Sequence, residues 1–258
     1  MSKRAIVVAD IHGCLDELKD LLDLVKYDPT NDRLISCGDI FDRGPSSVEA
    51  LRYLKQLNAE VILGNHEDKY IRFNYHQEKS KKTPGYINPM SKFPERKMEL
   101  YNQLTDEDFT YLRSLPTFVS VTDKIKVIHA GAQANIPFID QPTGNFVYLR
   151  YLKPSGGAFA GTPRGVDGLT FWAEKWPGPE CIIYGHFVHN FNSPVIHKTN
   201  DKVWCMGIDN GCCFGGKLTA VVFSEEDLKA GTIGTIHQVP ARKTYMTFRE
   251  DGKGISDY

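Results

Sequence analysis

The first 65 residues alternate two hydrophobic periods, and that alternation restricts the fold more than any other feature. Ala5 to Ala9 is a short apolar run, and Leu15, Leu18, Leu21, Leu22 and Val25 recur at three and four spacing to make one helical face. Arg33 to Cys37 reads as a second strand, Ser46 to Gln56 as a second helix with Val48, Leu51 and Leu54 inward, and Glu60 to Leu63 as a third strand. A βαβαβ order implies parallel strands joined by right-handed crossovers. Each strand runs into a polar cluster: Asp10-Ile11-His12, Gly38-Asp39 and Gly64-Asn65-His66. Open parallel sheets bind ligands outside the carboxyl ends of their strands, so the three clusters converge on one crevice.

Beyond Asn65 a helical pattern persists to Glu78, breaks over the Lys- and Pro-rich stretch Lys79 to Lys97, and resumes from Asp106 to Leu115. Phe118 to Thr122 and Lys124 to Ile128, turned at Asp123, read as a β-hairpin that delivers His129. From about residue 132 to 180 glycine and proline are frequent and periodicity is lost, which predicts a loop-rich excursion over the site. Cys181 to Tyr184 reads as a strand ending at Gly185-His186, with further strands at Lys217 to Phe223 and Thr232 to Val239. Parallel units first and hairpins later predict two packed sheets with helices outside. With no repeat and no low-complexity linker, residues 1–258 read as one domain.

Composition sets limits on function. Hydrophobic residues at 41% and charged residues at 24% are the mix of a soluble globular protein, and no apolar run approaches the ~20 residues of a membrane span. Thirty-one basic against 32 acidic residues leave a net charge of -1, so neither a membrane nor a stable nucleic-acid partner is expected, and any anion chemistry has to be local. The apolar run after Arg4 is too short for a secretory signal, which makes the cytoplasm the expected compartment. Six cysteines (Cys14, Cys37, Cys181, Cys205, Cys212, Cys213) without a CxxC pair predict buried reduced thiols.

Asp10, His12, Asp39, Asn65, His129 and His186 all fall at strand ends. Carboxylates, imidazoles and one amide suit manganese, iron or zinc better than magnesium or calcium, which prefer all-oxygen shells. One catalytic zinc takes three or four protein ligands, so six candidates favour two ions sharing a bridging carboxylate. Any one of them alone could close a turn. Six together, each at a strand end, are not explained by turn chemistry.

The segments Ala9-Asp10-Ile11-His12-Gly13, Gly38-Asp39-Ile40-Phe41-Asp42-Arg43-Gly44, Gly64-Asn65-His66-Glu67, His129-Ala130-Gly131 and Tyr184-Gly185-His186 resemble, in order, the signature blocks of the phosphoprotein phosphatase family of calcineurin-like metallophosphoesterases. The resemblance spans Ile6 to Val222. The block from Gly207 to Ala220 is similar to that of a bacterial and phage branch holding small Ser/Thr phosphatases and symmetrical diadenosine tetraphosphatases. The chain departs from the pattern at Ala9, where the family usually has Gly, and at Phe187-Val188, where the branch commonly has Thr-Pro.

The resemblance implies a single-domain α/β fold, a four-layer αββα sandwich, and a cofactor of two divalent metal ions, with manganese taken ahead of iron or zinc. Asp10 and His12 would hold the first ion, Asn65, His129 and His186 the second, and Asp39 would bridge both. Attack would come from a metal-bridging hydroxide, because bound water ionises near pH ~7 instead of ~15.7. His66 would protonate the leaving group, Asp42 would orient that imidazole, and Arg43 would bind the phosphate with its planar fork. A second phosphate-binding arginine falls in the irregular stretch, where Arg150 is taken ahead of Arg164. Asp209 would support a ligand histidine from behind, or close a turn.

The implied activity is hydrolysis of phosphate monoesters, with a Ser/Thr protein phosphatase as the first reading. The alternative is a bis(5'-nucleosyl)-tetraphosphatase, or a nucleotide or RNA-end phosphatase, so the expected substrate is a phosphorylated protein or a nucleotide polyphosphate. A non-catalytic module on this fold would have lost ligands, and every ligand position is filled. Gly211 to Lys217 has GxxxxGK spacing, but Leu218 stands where a P-loop needs Ser or Thr, and the sequel reads as strand. Lys79 to Lys97 carries a net charge of about +5 and reads as a solvated loop, or as an attractor of polyanionic substrates if it overhangs the site. Phe171, Trp172 and Trp176 read as packing residues, with stacking on a base as the alternative.

Overall fold

The computed structural model describes residues 4–161, 163 and 165–247, so Arg164 lies outside the described residues. The chain opens with β1 (Arg4–Val8), α1 (Leu15–Leu24), β2 (Asp32–Ser36), α2 (Ser47–Gln56), β3 (Glu60–Val61) and α3 (Asn65–Lys82). Helices α4 (Glu95–Tyr101) and α5 (Asp106–Ser114) lead to the hairpin of β4 (Phe118–Ser120) and β5 (Ile125–Ile128). Then come α6 (Thr143–Tyr148), β6 (Tyr151–Leu152), β7 (Ala158–Phe159), β8 (Thr170–Phe171) and β9 (Cys181–Tyr184). The remainder is β10 (Val195–Asn200), β11 (Val203–Gly207), β12 (Lys217–Phe223), α7 (Glu225–Ala230) and β13 (Thr235–Pro240).

Two mixed five-stranded sheets carry the fold. The first has the order β13-β12-β1-β2-β3, with β1, β2 and β3 parallel and β12 antiparallel to β1. The second has the order β10-β11-β9-β5-β4, with β5, β9 and β11 parallel and an antiparallel strand at each edge. Ile6, Val8 and Leu34 of the first sheet and Val127, Ile183 and Met206 of the second belong to one apolar core, which glues the sheets face to face. Helix α1 packs behind β12 and β13. On the far face of the second sheet, Ile182 and Tyr184 meet Phe138, Phe146, Trp172 and Trp176. These tryptophans are buried, so they pack and are not free to stack on a base.

The βαβαβ start and the hairpin about Asp123 appear as the periodicity predicts, with Phe118 opposite Ile128 and Ser120 opposite Lys126. The stretch after Gly211 is a tight turn followed by strand β12, the geometry that excludes a P-loop. All six cysteines are free and buried. Three features depart from the sequence expectation. Helix α3 runs on to Lys82, and its last turn holds Lys79, Lys81 and Lys82 where the negative end of the helix dipole favours cations. Helix α4 starts inside the stretch expected to be irregular, and it buries Lys97. The β10–β11 hairpin went unread because β11 is five residues buried on both faces, a run too short for its period to be told from a loop. Among the described residues no helix is long and apolar enough to cross a membrane.

The carboxyl ends of β1, β2, β3, β5 and β9 meet at one edge of the sandwich, and one side chain holds the central loop there. Glu67, fully buried on α3, accepts the backbone N–H groups of Asp39 and Gly64 on Oε2 (2.8 and 3.2 Å) and those of Ile40 and Phe41 on Oε1 (2.8 and 3.1 Å). A buried N–H left without an acceptor costs roughly 1–3 kcal/mol. Glu67→Gln sets an amide NH2 against two of these donors, and it is expected to lower the unfolding free energy by about 3 kcal/mol or more. Urea unfolding of chelator-treated protein measures this, and a loss under about 1 kcal/mol would mean that other contacts hold the loop.

Candidate metal centre

The loops at that edge are wound unusually tightly. Among the described residues, five of the seven non-glycine residues with positive φ are His12, Asp39, Asp42, Arg43 and His186. Left-handed backbone at such residues costs of order 1–3 kcal/mol each, and it is kept where neighbouring contacts over-determine it. Here the loops brace each other: the N–H groups of Ile11 and His12 both donate to the Asp39 carbonyl (3.1 and 2.8 Å), and Gly44 N–H donates to the His12 carbonyl (2.8 Å).

The hydrogen bonds fix the histidine tautomers. His12 Nδ1–H donates to the Phe41 carbonyl (2.7 Å) and His129 Nδ1–H to the Cys37 carbonyl (2.8 Å), so both rings turn an Nε2 lone pair into the site. His129 Nε2 lies 3.0 Å from Asn65 Oδ1, 3.1 Å from His186 Nδ1 and 3.3 Å from Asp39 Oδ1. On the other side His12 Nε2 lies 3.6 Å from Asp39 Oδ2 and accepts from Arg43 Nη1 at 2.5 Å. Asp39 therefore faces two histidine groups with its two oxygens. Asp10 accepts the His186 N–H on Oδ2 (2.8 Å), while its buried Oδ1 has no hydrogen-bond partner, and neither has His186 Nε2.

These acceptors crowded around vacant lone pairs fit divalent cations. Burial, then the neighbouring Asp209 and Asp39, pushes the Asp10 carboxyl well above its ordinary range. Burial likewise pushes Asp209 up to about 6. For Asp39 burial works against the field of His129, His66 and His12, and the field wins, holding it below the usual carboxylate range. Burial is also the first cause that lowers His12, His129 and His186, with Arg43 adding to it at His12 and Arg150 at His186. Burial thus favours the neutral imidazole, the form that ligates a metal, against the pull of the Asp39 charge on His12 and His129. Buried carboxylates beside neutral imidazoles lack positive charge, and cations between them would supply it. Ligand-type atoms of His12, Asp39 and His66, and of Asp39, His129 and His186, form two clusters that share Asp39. His66 joins the first cluster, although its Nδ1 is already committed to Asp42.

Three donors converge on that carboxylate. His66 Nδ1–H donates to Asp42 Oδ2 (2.5 Å), Tyr70 O–H to Asp42 Oδ1 (2.6 Å), and Lys97 Nζ to Asp42 Oδ2 (2.6 Å). Burial would raise the Asp42 carboxyl, but the His66 hydrogen bond and the charges of His66 and Lys97 hold it far below its usual range. Arg43 packs its guanidinium over the Phe214 ring, 5.0 Å from the centroid. Arg150 donates from Nη1 to the Ala160 carbonyl (3.0 Å). Of the two expectations for Asp209, the contact seen is that of a turn carboxylate: its Oδ1 accepts the Gly211 N–H (2.9 Å), and among the described residues no hydrogen bond joins it to a candidate histidine. Backbone carbonyls have taken the supporting role at His12 and His129. A cavity of about 350 Å³ lined by Tyr27, Asp32, Arg33 and Glu60 contains none of these residues.

Sequence reasoning missed Glu67 and Lys97. Glu67 stands inside the GNHE block, three residues after Gly64, at the spacing of a capping box, which was the available signal. Lys97 had no signal beyond a crowd of other basic residues. Two glycines in the blocks have steric causes: a Cβ on Gly185 would sit 1.8 Å from Asp10 Oδ1, and one on Gly64 2.3 Å from Asp39 Oδ1. Gly185→Ala is expected to weaken manganese binding at least tenfold, the lower end of what disturbing a ligand's support costs, with the melting transition still cooperative. Titration of metal-free protein with manganese checks it, and unchanged affinity would remove Asp10 from the ligand set.

A family model described as calcineurin-like phosphoesterase matches residues 3–224. An asymmetrical bis(5'-nucleosyl)-tetraphosphatase of Halalkalibacterium halodurans is 30% identical, covering 85% of this chain and 89% of the relative. A symmetrical bis(5'-nucleosyl)-tetraphosphatase of Yersinia enterocolitica is 37% identical over 85% of this chain and 88% of its own length. The crystal structure of a putative diadenosine tetraphosphatase superposes with a TM-score of 0.71 at 28% identity, covering 93% of this chain and 95% of the other. A protein serine/threonine phosphatase of Saccharomyces cerevisiae shares the fold, with a TM-score of 0.55 at 16% identity over 96% of this chain and 82% of the other.

Proposed function

The chain belongs to the calcineurin-like phosphoesterase family and is a hydrolase, and from that premise we propose that it hydrolyses nucleotide polyphosphates at a centre of two divalent ions, manganese foremost. The observation that carries the proposal is Asp39, with Oδ1 3.3 Å from His129 Nε2 and Oδ2 3.6 Å from His12 Nε2. One carboxylate between two sets of neutral nitrogen donors is what a pair of cations needs, because shared negative charge offsets their mutual repulsion. Asp10 and His12 would hold one ion, Asn65, His129 and His186 the other. Bound ions would supply a water nucleophile ionised near neutral pH and a clamp for the phosphoryl oxygens.

The remaining steps belong to the chain. Arg43 would pair its fork with the phosphoryl oxygens and stabilise the charge they gain in the transition state, with Arg150 as a second cation on the histidine side. His66 keeps its Nδ1–H on Asp42 and presents Nε2 3.8 Å from Asp39 Oδ2, on the inner wall of the site. We assign it the proton for the departing oxygen, because a ring anchored through Nδ1 can deliver a proton only from Nε2. The P–O bond would break toward the leaving group, which takes that proton, as the oxygen of an ionised water, its own proton already released, bonds to phosphorus.

For the substrate, the support comes from relatives named as tetraphosphatases at 30% and 37% identity. The Ser/Thr phosphatase reading rests on the same sequence blocks, and its structural neighbour at 16% identity shares the fold alone. His66→Ala is expected to keep its bound manganese and lose ~10²–10⁴ in kcat. Unimpaired kinetics would end the acid assignment. The manganese-loaded enzyme is expected to give a higher kcat/KM on diadenosine tetraphosphate than on a phosphoserine peptide, measured side by side. The reverse order would restore the protein phosphatase.

A further inference from the structure

Lys97 is 5% exposed, and its Nζ lies 2.6 Å from Asp42 Oδ2, an oxygen that also accepts the His66 Nδ1–H. Burying an ammonium costs several kcal/mol before any pairing, and an apolar residue of the same size often stabilises as well as a buried ion pair. Stability alone therefore gives a weak reason for a lysine here. The way α4 is seated gives a better one. Phe93, just before the helix, stacks on Phe73 at 4.0 Å and meets Tyr70 edge-on at 5.4 Å. That contact anchors the helix start against α3, which carries His66 itself. From there two consecutive residues reach the Asp42-Arg43 corner: Arg96 donates to the Arg43 carbonyl (2.6 Å) and Lys97 to the Asp42 carboxylate. Both corner residues have left-handed backbone, φ +68 and +70, a conformation that needs outside support.

We propose that Lys97 is a positioning residue for hydrolysis: with Tyr70 it pins both oxygens of Asp42 and so fixes the direction in which His66 presents Nε2. A carboxylate with donors from Tyr70 on one oxygen and from Lys97 and His66 on the other has no rotation left. Its charge is also shared with the ammonium, so the imidazole is held by a partly compensated carboxylate, which gives up less when the ring delivers its proton. The segment from Thr83 to Lys97 thus ends in the site's interior, and its last residue acts on the leaving-group side. This inference rests on the proposed acid role of His66.

The test uses manganese-loaded full-length protein and two esters. The leaving group of 4-nitrophenyl phosphate departs readily without a proton, and that of phenyl phosphate needs one. Lys97→Met is expected to lose at least ~10-fold more kcat on phenyl phosphate than on 4-nitrophenyl phosphate, with KM and bound manganese unchanged. The proton NMR resonance of His66 Nδ1–H, recorded on protein loaded with diamagnetic zinc in place of manganese, is expected to be broader in the variant than in the parent protein as the carboxylate swings. Equal losses on the two esters, or no loss, or an unaltered resonance, would overturn the proposal and leave Lys97 a structural ion pair. Should Lys97→Met fail to fold, Lys97→Leu, which also removes the donor to Asp42, carries the same comparison. His66→Ala is run in parallel: if it too shows no selective loss on phenyl phosphate, the acid role of His66 falls. If His66→Ala is selective and Lys97→Met is not, only the role of Lys97 falls.

Discussion

A carboxylate with no proposed part in the chemistry, that of Glu67, holds the loop on which the rest of the centre depends. Its two oxygens gather four backbone N–H groups from Gly64, Asp39, Ile40 and Phe41. The grip sets Asp39 in left-handed backbone and aims the Phe41 carbonyl at His12 Nδ1. The Asp39 carbonyl in turn accepts the N–H groups of Ile11 and His12, so the first loop is seated by the second and the second by α3. Burial and the nearby Asp39 push Glu67 up to about 8, against the pull of its N–H donors. Positive charge at Asp39 would relieve one of these pressures, which links the proposed cations to the stability of the loop that would hold them.

The same electrostatics explain why the polar residues lie deep. Asp10, Asp39 and Asp209 are buried together, an arrangement that costs several kcal/mol per uncompensated ion. Close packing at the glycines closes one side of two of them: a Cβ on Gly185 would overlap an oxygen of Asp10, and one on Gly64 an oxygen of Asp39. A chain that spends stability in this way gains a low-dielectric chamber, where a guanidinium or an imidazole acts more strongly on a phosphoryl group than it would in water.

Much of this was legible in the sequence because hydrophobic period and strand-end chemistry are both local. Three parallel strands with Asp10, Asp39 and Asn65 at their ends follow from the first 65 residues, and the Asp123 hairpin follows from five residues on either side of the turn. What was not legible depends on contacts across the chain. Lys97 lies 55 residues from Asp42, and nothing in its local pattern separates it from Lys92 or Arg96, which stay solvent-facing. Sequence left Asp209 between a histidine and a turn, because the carbonyls of Phe41 and Cys37 that take the Nδ1 protons of His12 and His129 carry no sequence signal. β11 was unreadable because burial on both faces erases the alternation by which a strand is recognised.

The two missed residues, Glu67 and Lys97, have something in common. Each is a buried charged side chain acting on the loop from Gly38 to Gly44, Glu67 on its backbone N–H groups and Lys97 on its last carboxylate. The loop is therefore held at one end by an acceptor where donors converge and at the other by a cation on its carboxylate. Lys97 and Asp42 match each other locally, whereas Glu67, which feels the charge of Asp39, would gain from the proposed cations. That leaves Asp10 and Asp39 as the carboxylates facing the histidine cluster whose charge still asks for a partner. Which carboxylates the fold has neutralised in advance, and which it has left open, would then decide where the proposed cations sit.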